Sequence, residues 1–124
     1  MPTFPAIVKQ INYRVGDEDS PITIIAKVGA AQRGVPVAIL DKDTELPETP
    51  LPDGSVQFNV GSALKLTGHV VRVQTFVSDV NPKTNLTIVN YQIAGGIQLV
   101  TDNTQGEVEE GGRIGHFFFI NFQS

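Results

Sequence analysis

Apolar and polar residues alternate with a period of two through most of this chain, the signature of strands with one face in a core and one in water. Ile7, Ile11, Tyr13 and Val15 share one side of the first run, and Gln10, Asn12 and Arg14 take the other. After the break "GDEDSP", Ile22, Ile24 and Val28 repeat the pattern, and Val35, Val37 and Ile39 form a third set. The fourth is the cleanest, with Val56, Phe58 and Val60 opposed by Ser55, Gln57 and Asn59. From Leu64 to Val80 the apolar parity changes between Leu66 and Val71, which predicts a bulge near Gly68 or His69. The run from Leu86 to Ile93, then Gly95-Gly96, then Ile97, Leu99 and Val100, reads as one strand bent or interrupted at the glycines. A last β-prone segment, "GRIGHFFFINF", closes the chain.

No stretch combines helical periodicity, caps and sufficient length. The expected fold is all-β, an antiparallel β-sandwich of about seven to nine strands separated by Gly, Pro, Asp and Asn breaks. At 124 residues it forms a single domain over 1–124, since too little chain is left for a second core. The strand spacing resembles that of immunoglobulin-like, C2-like and jelly-roll sandwiches. That resemblance is architectural, and architecture does not fix function.

Composition narrows the chemistry. No cysteine is present, which removes disulfides, thiolate catalysis and Cys-based zinc sites. A net charge of -4 and nine scattered Lys and Arg residues argue against a nucleic-acid partner. The N-terminal "MPTFPAIVKQINYRV" has no signal-peptide pattern, and no run reaches membrane-spanning length. The expectation is a cytoplasmic protein, or one exported without a signal peptide, that does not engage a membrane.

Acidic residues offer the first candidate sites. In the non-periodic stretch from Leu40 to Ser55, five carboxylates face Lys42 alone, so the stretch has a net charge of -4, equal to that of the whole chain. The alternating Asp41, Asp43 and Glu45 start like an EF-hand loop, but Leu46 stands where its glycine belongs and Pro52 where its bidentate acid belongs. The expected form is a solvated loop stiffened by Pro47, Pro50 and Pro52, with Asp41, Asp43, Glu45 and Glu48 available to a partner with a basic surface. Asp17 and Asp19 could join Asp79 or Asp102 in a calcium site if their loops converge, the one cofactor the sequence entertains. Asp79 to Asn85, "DVNPKTN", carries turn chemistry throughout: Asn81 suits the first position of a type I turn and Pro82 the second. A ligand loop using Asp79 and Asn81 is the alternative.

Catalytic candidates are sparse. His69 and His116 are the two histidines, and neither sits in an arrangement with chemical meaning. A small enzyme built on His69 or His116 is therefore a minor alternative to a non-catalytic module, as is a lectin-like or calcium-dependent domain. "HFFFINF" is the most unusual segment: His116, Phe118, Ile120 and Phe122 point one way, yet Phe117 and Phe119 on the other side are also large and apolar. Either a loop or the N-terminal segment around Phe4 and Pro5 covers them, or Phe117 and Phe119 form an interface with another protein or a second copy. The sequence thus points to a binding or assembly module that self-associates through a sandwich surface.

Overall fold

A computed structural model describes residues 5–124, and Phe4 lies outside the described residues. Ten strands run in chain order: β1 (Ala6–Arg14), β2 (Pro21–Val28), β3 (Val37–Leu40), β4 (Thr44–Glu45), β5 (Glu48–Pro50), β6 (Val56–Ser62), β7 (Val70–Ser78), β8 (Leu86–Ala94), β9 (Val100–Glu107) and β10 (Arg113–Gln123). They form two five-stranded sheets, β1-β10-β7-β3-β4 and β5-β6-β2-β8-β9. Every pairing is antiparallel except β1 with β10. The neighbours β3-β7-β10 and β2-β6-β5 reproduce the C-F-G and B-E-D orders of the immunoglobulin sandwich. One departure is distinctive: the hairpin β8-β9 precedes the last strand, and β8 occupies the flank of β2 where that fold places its first strand. Among the described residues no helix is long and apolar enough to cross a membrane.

The predicted alternation builds one core between the sheets. Ile24, Phe58, Val73, Val89, Phe118 and Ile120 are fully buried and come from both layers. On the open side, the edge strands β1 and β9 meet. Gly106 makes this approach possible, because a Cβ there would overlap the Ile7 side chain. Lys9 and Asp102 close the seam with an ion pair of 2.6 Å.

Four expectations change, each because tertiary pairing outranks local pattern. Val37 and Ile39 face away from the core: Ala38 is paired with the buried Val73, so its neighbours turn outward. The parity switch near Gly68 is no bulge. A short 3-10 turn, Ala63–Lys65, and Gly68 at φ +87° carry the chain from β6 in one sheet to β7 in the other, so the apolar face changes because the sheet changes. The glycines after Ile93 do not bend one strand but reverse it. Gly95 adopts φ +103° against the Pro21 carbonyl, and Val100 returns opposite Ile93 to start β9. Finally, the acidic stretch is not a free loop, because β4 extends one sheet and β5 the other.

Leu46, between those two short strands, is buried, and its N–H donates to Ala38 O at 2.9 Å. The segment therefore plugs one side of the sandwich rather than floating over it. Leu46→Ala is expected to lower stability by about 2 kcal/mol, the small end of the Leu→Ala range at a site near the surface. Urea denaturation reads this as a lower midpoint at an unchanged slope.

Candidate functional site

Strand β10 has apolar residues on both faces, and the two faces have different surroundings. Inward, Phe118, Ile120 and Phe122 enter the core, and Phe118 stacks on Tyr91 of the opposite sheet with centroids 4.1 Å apart and planes at 6°. Outward, Phe117 and Phe119 are half-buried on the exposed face of their sheet. The register sets them in two cross-strand rows, Val8–Phe117–Gln74–Val37 and Gln10–Phe119–Arg72–Ile39. Phe76 meets Phe117 edge-on at 5.9 Å. Gly115 seats both rings, since a Cβ there would come within 2.8 Å of Phe117 and 3.4 Å of Phe76. Val8 is 66% exposed, Val35 67% and Phe76 44%. Arg72 is the one charged residue within these four strands of the two rows, its Nε donating to Gln74 Oε1 at 3.1 Å, and Glu45 on β4, opposite Ile39, ends the second row. No described segment covers Phe117 and Phe119 by pairing across this face, so the face is an apolar centre with an amide margin.

Behind it lies a buried polar chain centred on His116, which is fully buried. Thr87 Oγ1 donates to Gly106 O at 2.7 Å and lies 2.9 Å from His116 Nε2. Thr104 Oγ1 is 2.7 Å from His116 Nδ1 and 2.9 Å from the Tyr91 hydroxyl. A carbonyl can only accept, so the Thr87 hydroxyl proton is committed to Gly106 and His116 must donate from Nε2. Nδ1 then accepts from Thr104, which in turn accepts from Tyr91. Every member is satisfied in this single order, with His116 neutral. Burial holds the His116 pKa down at about 4. It pushes Tyr91 up to about 12, against a smaller lowering from its bond to Thr104. The ring thus clamps β10 to the hairpin β8-β9, and both of its nitrogens, the atoms a catalytic histidine would use, are taken up by Thr87 and Thr104.

His69 is different: its ring is on the surface, with Nδ1 2.8 Å from Asp41 Oδ2. Asp41 Oδ1 also accepts from Val70 N–H, and these two bonds, that from His69 foremost, hold its carboxyl below the ordinary range. Asp41 sits at φ +56°, where the chain leaves β3, so the pair fixes that corner. Among the described residues no hydroxyl is hydrogen-bonded to His69. Of the four proposed partner-binding acids, Asp41 is engaged in this way, whereas Asp43 is exposed in the turn before β4, and Glu45 and Glu48 are exposed on the short edge strands.

The calcium constellation does not assemble. Asp17 and Asp19 follow β1, whose Arg14 pairs with Gln123, whereas Asp79 follows Ser78, which pairs with Arg113. Gln123 and Arg113 are the two ends of β10, roughly 30 Å apart at the rise of an extended strand. Asp19 is taken up by Ser62 and Asp102 by Lys9. Among the described residues no group of three potential ligands converges.

The "DVNPKTN" segment is a turn, and most of its polar groups are occupied, the exception being Asp79 Oδ1, which is buried without a partner among the described residues. Asn81 Oδ1 accepts from Lys83 N–H at 3.0 Å, and Thr84 N–H closes on Asn81 O at 3.4 Å. Gln32, which local sequence did not single out, straps the loop. Its Oε1 accepts from Val80 and Asn81 N–H, while its Nε2 donates to Thr84 O and Leu86 O. Asp79 Oδ2 accepts from Gly111 N–H across the gap to the preceding loop of β10. No protein-family model matches this chain, and neither curated proteins nor solved structures yield a match to it.

Proposed function

We propose that this chain is a non-catalytic assembly module that self-associates through the outer face of the β1-β10-β7-β3 sheet. The observation that carries the reading is the pair of rows around Phe117 and Phe119, which join the exposed Val8 and half-buried aliphatic and aromatic side chains across four strands, with Arg72 as the one charge among them and Glu45 at the far edge. Interface centres have this composition, with aromatics and Arg enriched and other charges depleted. A second copy is the occupant the face fits. It is an outer sheet face, and two such faces related by a two-fold axis pack against each other as the layers of a sandwich do. Glu45 and Glu48 support face over edge association, because carboxylates on edge strands oppose strand addition.

The test is particle mass by light scattering and sedimentation at tens of micromolar. Wild type is expected to be a dimer or larger. Phe117→Ser with Phe119→Ser is expected to weaken association about 100-fold, from a loss of about 3 kcal/mol of ring burial, while keeping the β spectrum. Val8→Lys, at a position already 66% exposed, repeats the test without touching the half-buried rings. A monomeric wild type, or variants that associate as wild type does, would overturn the proposal.

A further inference from the structure

The opposite outer face, on the β6-β2-β8-β9 sheet, has another chemistry. Its central outward residues are neutral and hydrogen-bonding: Asn90 pairs across strands with Asn103, Gln92 with Thr101, and Gln57 faces Ile25. Lys27, opposite Asn90, is the one cation among them. A groove of about 360 Å³ opens here, floored by Ile25 and walled on one side by the Leu51–Ser55 turn and on the other by β9.

That wall is built in advance. Leu51 N–H donates to Ser55 O at 2.9 Å, Gly54 N–H to Leu51 O at 3.1 Å, and Gly54 takes φ +88°. Ser55 binds Asp53 Oδ1 with both its N–H and its hydroxyl, which leaves Asp53 Oδ2 facing Lys27 Nζ at 4.0 Å. The groove therefore holds an oriented acceptor, a cationic donor and a row of carboxamides that both donate and accept. Among the described residues, neither the Asn90 nor the Gln92 side chain is hydrogen-bonded to another group.

We infer that this groove is a binding site for a neutral polyhydroxylated ligand, a glycan chain. Hydroxyl groups donate and accept in turn, which matches the exposed carboxamides of Asn90 and Gln92. A charged ligand gains little, since Lys27 and Asp53 already neutralise each other. Ile25 supplies an apolar floor for the C–H face of a sugar ring. No aromatic platform is present, so binding is of millimolar strength rather than tight. The site is independent of the self-association face, which lies on the other sheet.

The probes are cellohexaose, maltohexaose and chitohexaose, titrated at millimolar concentration into the ¹⁵N-labelled full chain. With at least one of them, the side-chain amide resonances of Asn90, Gln92 and Asn103 are expected to shift in a saturable way. The double variant Asn90→Ala with Gln92→Ala should weaken binding at least ten-fold while its remaining amide spectrum stays in place; Gln92→Ala alone serves if the double variant does not fold. Absence of saturable shifts with all three probes, shifts centred on Phe117, or an affinity unchanged in the variants would overturn the assignment. Tighter saturation of the same resonances by a hexaserine peptide would also overturn it, in favour of an extended polypeptide ligand.

Discussion

Acidification from pH 7 to pH 4 is expected to remove about 3 kcal/mol of folding stability through His116 alone. Burial lowers its folded-state pKa from 6.5 to about 4. Between those values the unfolded chain binds a proton that the folded chain refuses, so stability falls as pH falls through 6.5 and the loss levels off below 4. At about 1.4 kcal/mol per pH unit, that window gives the stated loss. The geometry explains the refusal. A proton on Nδ1 would have to donate to Thr104 Oγ1, which would turn the Thr104 hydroxyl toward Tyr91 and leave the buried Tyr91 O–H without its acceptor.

Tyr91, raised to about 12, stays neutral throughout this range. The exposed Asp41 and Asp53 carboxyls are held below their ordinary values, so what they contribute is lost only at lower pH. Urea denaturation at pH 7, 5.5 and 4 reads the slope, and the His116 ring signals should show no titration until near pH 4. In His116→Leu the loss between pH 6.5 and 4 should be absent, whatever the variant's baseline stability. The same slope in wild type and variant would place the acid sensitivity elsewhere.

Within the run Phe117-Phe118-Phe119, only the middle ring is expected to be essential to the fold. Phe118 is fully buried and stacked on Tyr91, so Phe118→Ala should cost about 3–5 kcal/mol as a core cavity with the stack removed. Phe117→Ala and Phe119→Ala, on the half-buried outer face, should each cost less than Phe118→Ala in the dissociated chain, because part of their area stays in water and their loss opens no enclosed cavity. Urea titration of dilute protein measures all three. Equal losses at Phe117 and Phe118 would mean that the outer ring is core as well, and the assembly face would lose its centre.

The alternation of Val56, Phe58 and Val60, and of Ile22 and Ile24, was legible as strand because a period of two has one structural meaning when the apolar residues fall on a buried face. The double-faced character of "HFFFINF" was legible for the same reason, read as its exception. Strand β9 was not: "VTDNTQGE" is polar and lies at a sheet edge, where one inward threonine and a glycine suffice, so no apolar period marks it. Nor was the strand β3 face, whose Val37 and Ile39 mimic a core set although Ala38 is the residue that enters the core.

Sequence by itself therefore determined the all-β class, the single core and the two-sided last strand, since these follow from local periodicity and side-chain size. Tertiary structure alone decided which sheet each strand joins, that Asp17 and Asp79 stand at opposite ends, and that His116 is sealed between two threonines from another sheet. Those outcomes depend on pairings between residues far apart in the chain: Thr87 lies 29 positions from His116, and Lys9 lies 93 from Asp102. Contacts at such separations are selected by the summed burial and hydrogen bonding of the whole sandwich, and no window of neighbouring residues contains that sum.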